Sequence, residues 1–199
     1  MAAGTIPSKE ISALVARQIG SLNDAALTQQ LTKVWGTLRP SDAEKTQLLI
    51  KVKADLTPEN LAQASPSAGR VVFNAACASC HTFFGAGGNL GPDLTGSARS
   101  NLEHVLTSVV DPSAVVSKDF TVTTVNLKDE RTLNGMIQSE TERVLELKTT
   151  SGTVSIQKAD INSRSASELS MMPDGLFQAL KPEQIRDLMS YLMSPAQVP

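Results

Sequence analysis

Five consecutive residues, Cys77-Ala78-Ser79-Cys80-His81, carry the densest chemistry in this chain. Two thiols three positions apart can each form a thioether with one vinyl group of a single porphyrin, and the histidine that follows can set an imidazole beneath the iron. The spacing therefore predicts one haem c attached through Cys77 and Cys80, with His81 as the proximal iron ligand. Other uses of the pair fit less well. A structural zinc site wants four Cys or His ligands, and the chain offers only Cys77, Cys80, His81 and His104, two of them adjacent. A thioredoxin-like dithiol should follow a strand in a βαβ unit, whereas Val71-Val72-Phe73-Asn74-Ala75-Ala76 leads in with helical spacing. A disulfide across so short a loop would be strained.

Composition agrees. The chain has 199 residues, enough for a sizeable core and for more than one compact unit. Charged residues make up 19% and the net charge is −2, which points away from nucleic acid or an anionic membrane as partner. Aromatics are only 4%, so leucine, valine and methionine must do most of the wrapping around an apolar porphyrin. No stretch approaches the roughly 20 apolar residues of a membrane span, and residues 1–20 lack the apolar core of a signal peptide. Haem is attached to such motifs outside the cytoplasm. The chain therefore reads as a fragment or mature form of a periplasmic or otherwise exported protein, with Met1 added for expression.

The elements around the motif follow from periodicity and punctuation. Ser8 is expected to cap a helix through Ile19, with Gly20 as its stop. Asn23 or Ser21 should cap a second helix ending at Gly36, with Trp35 in the core. Ser41-Asp42-Ala43-Glu44 reads as a capping box for a third, with Leu48, Leu49, Val52 and Leu56 buried. Thr57-Pro58-Glu59 starts one more turn, and 64–69 reads as a linker. The division is thus residues 1–65, a helical tail of a repeat or linker bundle, and 66–199, the haem unit. In the latter, a helix from Arg70 to about Ala76 points Val72 and Phe73 inward. The glycine-rich stretch from Gly85 to Gly96 can be neither helix nor strand, and suits backbone approaching something large and flat.

Gly91-Pro92-Asp93-Leu94-Thr95-Gly96, soon after Cys-x-x-Cys-His, resembles the class I cytochromes c. The resemblance implies that the Pro92 carbonyl accepts the imidazole Nδ1–H of His81, raising its basicity, and that Leu94 packs on the porphyrin. Ser100-Asn101-Leu102-Glu103 reads as a second capping box, for a helix that Asp111-Pro112 ends. His104 on that helix is either a surface histidine or a second candidate for the sixth ligand. Arg99 either pairs with a haem propionate or faces solvent.

From Phe120 the character changes. Four β-prone runs between Phe120 and Ile156 suggest an antiparallel meander or small barrel, a module class I cytochromes c lack. It reads as an insertion at about 120–161. Beyond it lies Ser170-Met171-Met172-Pro173-Asp174-Gly175-Leu176, and a methionine before a proline in a loop is where class I cytochromes keep their sixth ligand. Setting the insertion aside brings Met172 to a plausible loop-plus-helix span from His81. Met172 is preferred over Met171 because proline restricts the residue before it. Pro182 to Met193 should form the terminal helix, and the cytochrome c fold implies that its Leu188 and Tyr191 meet Val72 or Phe73 near a haem edge.

Together with Gly69-Arg70-Val71-Val72-Phe73 and Asp111-Pro112-Ser113-Ala114, these motifs resemble a narrower group, the haem-binding domain family of planctomycetes and verrucomicrobia. The chain departs from it at Asp129-Glu130, where Asp-Gly is usual, and at His104, where an aromatic is more familiar. In that family the domain commonly ends a large exported protein behind a dehydrogenase-like domain. The expected fold is therefore mainly α: a cytochrome c fold with an inserted small antiparallel β module, preceded by a short helical bundle. The expected function is electron transfer without substrate chemistry, with iron held by His81 and Met172 and cofactor contacts from Phe73, Pro92, Leu94 and Arg99. A redox partner protein or fused dehydrogenase domain would supply the electrons. The alternative is a haem-based sensor or peroxidase-like centre whose sixth coordination position opens.

Overall fold

A computed structural model describes residues 10–199. The described residues form two compact units, each assembled from separate stretches: residues 10–38 with Val115–Met172, and Arg39–Ala114 with Pro173–Pro199.

The first unit opens with α1 (Ala13–Gly20) and α2 (Ala25–Val34), capped by Ser12 and Asp24, whose side chains accept from the N–H groups of Val15 and Leu27. Ser8 lies outside the described residues. Trp35 is buried with Ala16 and Leu31, as expected, and its indole N–H donates to the Ile11 carbonyl at 2.8 Å. Gly36 does not stop the helix. It begins a short strand, β1 (Gly36–Leu38), which pairs antiparallel with β4 (Val115–Ser117), numbered in chain order past two strands of the other unit.

The same unit holds an antiparallel sheet of β5 (Thr121–Leu127), β6 (Thr132–Glu140), β7 (Val144–Thr149), β8 (Gly152–Gln157) and β9 (Ile161–Ser170), in the order β8-β7-β6-β5-β9. Alternate residues of β5 turn inward, so Val125 and Leu127 meet Leu145, Leu147 and Ile156 in a core of their own. The last strand returns to pair with the first.

This sheet overturns the expectation of a mainly α chain: 41% of the described residues are helical and 25% are in strands. The largest omission is β9. Its sequence Ile-Asn-Ser-Arg-Ser-Ala-Ser-Glu-Leu-Ser is polar and shows no apolar alternation, because an edge strand with little burial needs only backbone pairing to one neighbour. The sheet accordingly runs to Ser170 rather than ending near Ile161.

The second unit is helical. It contains α3 (Ala43–Asp55), α4 (Pro58–Gln63), α5 (Pro66–Ala76), α6 (Leu102–Val110) and α7 (Pro182–Leu192), with a minimal hairpin of β2 (Thr82–Phe83) and β3 (Ala86–Gly87). What reads as a linker at 64–69 is in large part the first turn of α5. Ser65 caps it through its hydroxyl to the Ala68 N–H, and Pro66 occupies the position where a missing N–H costs nothing. Val52 of α3, Leu56 just beyond it, Phe73 of α5, Val105 and Leu106 of α6, and Leu188 and Tyr191 of α7 share one core.

Candidate functional site

The motif sits where α5 ends. Phe73 offers its carbonyl to the N–H groups of both Cys77 (2.8 Å) and Ala78 (3.0 Å), so the helix unwinds into a turn rather than continuing. The Cys77 carbonyl then accepts from Cys80 (3.0 Å) and His81 (2.9 Å), closing the five residues into one compact turn. Both cysteines are free thiols and half-buried. Burial, helped by the neighbouring Cys80, pushes the Cys77 thiol up to about 11. Among the described residues no three His, Cys, Asp or Glu side chains gather as a metal site.

His81 is oriented by the loop that follows. Its Nδ1 lies 2.9 Å from the Pro92 carbonyl oxygen, and since a carbonyl can only accept, Nδ1 carries the proton. The lone pair is thereby assigned to Nε2, which is the state an iron ligand needs. Burial lowers the imidazole pKa, while the hydrogen bond to Pro92 opposes it.

The loop reaches this position through backbone contacts that only small residues allow. Gly91 donates its N–H to the Cys80 carbonyl at 2.7 Å, and a Cβ at Gly91 would stand 2.5 Å from Cε1 of His81. Two threonines brace the rest. Thr82 donates its hydroxyl to the Gly88 carbonyl at 2.7 Å, and the Thr95 hydroxyl accepts from the Phe84 N–H at 2.9 Å. Asp93 accepts from the Thr95 N–H at 2.8 Å, and these bonds to Thr95 hold its carboxyl below the usual range. Leu94 is half-buried against the helical core, its N–H bonded to the Thr82 carbonyl.

Phe73 is buried in an aromatic group, its ring centroid 5.4 Å from that of Phe83 and 5.6 Å from that of Tyr191. The expected meeting of α5 with Tyr191 of α7 is therefore present. Arg99 lies over the rings of Phe83 and Phe84, at 5.0 Å and 4.9 Å, with Nε donating to the Thr95 carbonyl at 2.9 Å and Nη1 to the Ser194 carbonyl. It ties the loop to the end of α7. His104 is buried on α6, capped through Asn101 rather than Ser100, and is not a surface histidine.

The structure thus brings Cys77, Cys80, His81, Pro92, Leu94, Phe73 and Arg99 into one unit. Met172 is half-buried, its N–H bonded to the Ser170 hydroxyl at 3.1 Å, and it is the last residue of the other unit, joined directly to Pro173. Sequence reading missed the bracing by Thr82 and Thr95 and the contact that requires Gly91. Neither a threonine beside the Phe83-Phe84 pair nor one eleven residues after Phe84 carries a signal of its own.

The donor set fits an iron porphyrin. Two uncrosslinked thiols stand one turn apart, beside an imidazole whose tautomer leaves Nε2 free. No curated protein matches the chain. The family model for Cytochrome c matches residues 66–195, well over half of the sequence and the whole of the motif, its loop and the terminal helix. With the fold at the motif, the tautomer of His81 and this match in agreement, the chain belongs to the cytochrome c family.

Proposed function

We propose that the domain carries one haem c, attached by thioethers to Cys77 and Cys80, with His81 and Met172 as axial ligands, and that it passes single electrons between proteins. The cofactor supplies the one-electron Fe(III)/Fe(II) couple. The observation that carries the reading is the 2.9 Å bond from His81 Nδ1 to the Pro92 carbonyl, which fixes the tautomer and makes Nε2 the better donor. Leu94 and Phe73 keep water from the cofactor, which limits the reorganisation each transfer requires. A thioether from Met172 would raise the reduction potential relative to a second imidazole. Arg99, already committed to backbone carbonyls, contributes positive charge beside the loop more readily than a dedicated propionate contact.

Covalent haem attachment to this motif takes place outside the cytoplasm, so we place the domain in the periplasm or another exported compartment. The resemblance to the planctomycete and verrucomicrobial haem-binding domains supports a dehydrogenase, on the same or another polypeptide, as electron donor, and a second exported carrier as acceptor. The strands between α6 and the methionine loop read as an insertion into the cytochrome fold.

The far-red spectrum of the oxidised holoprotein tests the ligand set. A weak sulfur-to-iron charge-transfer band is expected in the wild type and is expected to vanish in Met172→Ala, with the haem still covalently bound in denaturant. A wild type without the band removes Met172 as ligand and brings forward His104 or an open sixth position, the latter being the sensor or peroxidase-like reading.

A further inference from the structure

Asp111, the residue that ends α6, is completely buried. Its Oδ1 accepts from Arg39 Nη2 at 3.2 Å and from Lys45 Nζ at 2.9 Å, while Oδ2 has no partner, so both cations compensate the charge through one oxygen. Arg39 is itself fixed, with Nε donating to the Ser113 carbonyl at 3.1 Å and its backbone N–H to the Ala114 carbonyl at 2.9 Å. Lys45 reaches further. The same Nζ donates to Asp174 Oδ2 at 2.9 Å, bridging the buried carboxylate to one that is half exposed.

Asp174 stands two positions after Met172, with Pro173 between. Proline fixes its own φ and restricts the residue before it, so the backbone from Met172 to Asp174 has few free torsions. Tethering the Asp174 side chain removes most of what remains. Lys45 is a suitable tether because its ammonium is itself held by an immobile, buried partner. An Asp174 carboxylate at the surface with no such partner would leave the segment free to swing.

We propose that Lys45 is a positioning residue for the sixth ligand: by joining Asp174 to the buried Asp111 it holds the Met172-Pro173-Asp174 segment in place and keeps the thioether from leaving the iron. This rests on the His81/Met172 reading given above. The bridge to a half-exposed carboxylate is of modest strength, so its loss should speed departure of the ligand by about fivefold.

The rate of carbon monoxide binding to the ferrous holoprotein measures that departure, because the gas binds only when the sixth position opens. Asp174→Ala and Lys45→Met are expected to bind about fivefold faster than wild type, with unchanged haem content, and Lys45→Arg to behave as wild type. Lys45→Met also strips one cation from Asp111, so if it does not fold, Asp174→Ala, a surface change, decides alone. An unchanged rate in Asp174→Ala, in protein whose far-red band is abolished by Met172→Ala, overturns the role of Lys45 and leaves the ligand assignment standing. A far-red band that survives Met172→Ala defeats the ligand assignment, and the positioning role with it.

Discussion

Cys77 is where the environment of the site acts most directly on one group. Burial penalises its thiolate and raises the thiol to about 11, from an ordinary value of 9.0. A raised pKa means that the folded chain keeps a proton the unfolded chain gives up. The associated stability is full below the ordinary value and is lost as pH rises from there toward about 11. The same shift governs reactivity, since alkylation needs the thiolate. In haem-free Cys80→Ser protein, where burial remains the dominant cause, the rate of Cys77 modification by iodoacetamide should climb about tenfold per pH unit past pH 9, as followed by mass spectrometry. A plateau at or below about pH 9 would mean that the thiol is not shielded as the structure places it.

Helix α5 presents the motif at the angle that α7 dictates, and the contact between them is made by backbone. A Cβ at Gly69 would lie 1.9 Å from the Asp187 carbonyl oxygen and 2.8 Å from Cβ of Tyr191, so no side chain fits while the helices keep this crossing. The Ser65 N–H, bonded to the Asp187 carboxylate at 2.7 Å, fastens the start of α5 to the same helix. Gly69→Ala should therefore lower the unfolding free energy by about 1–3 kcal/mol or more in urea titrations, whereas Gly96→Ala, where nothing stands within 4 Å, should stay within about 0.5 kcal/mol of wild type. Equal effects at the two positions would contradict the close crossing. Helix α7 was legible because its information is local, a proline in the first turn and an apolar stripe, whereas the cap and proline that start α5 at Ser65 and Pro66 read as a linker. The contact of His81 with the Pro92 carbonyl was legible through the resemblance of the motif and its loop to the class I cytochromes c. What the sequence hides is pairing at a distance. Strand β1 exists because Gly36, Thr37 and Leu38 meet Ser117, Val116 and Val115, and β9 because an otherwise featureless serine-rich stretch finds the free edge of β5. Cap residues slipped by one for a smaller reason, since Asp42 and Asn101 compete with the neighbouring serines and accept the hydrogen bond.

At the scale of the molecule, the family match and the folded unit do not begin at the same place. The match to Cytochrome c starts at residue 66, but the unit that contains the motif starts at Arg39. Between the two lies a stretch that contributes Val52 of α3 and Leu56 just beyond it to the helical core and that carries Arg39 and Lys45, the only cations paired with Asp111 among the described residues. A fragment of residues 66–199 would keep every residue proposed above to hold the haem and still bury a carboxylate with no counter-charge. Removing one side of a buried pair costs about 3–5 kcal/mol, and the lost apolar contacts add to it. The fragment is therefore expected to unfold at markedly lower urea concentration than the full chain, by circular dichroism. Asp111→Asn separates the charge effect from the packing effect. In the full chain it should destabilise, because it takes the carboxylate from two cations that remain partly buried. In the fragment it should stabilise, because it removes a charge that nothing compensates. A substitution that shifts the midpoint in the same direction in both would mean that Arg39 and Lys45 do not carry the compensation, and that α3 matters to the cytochrome unit through packing alone.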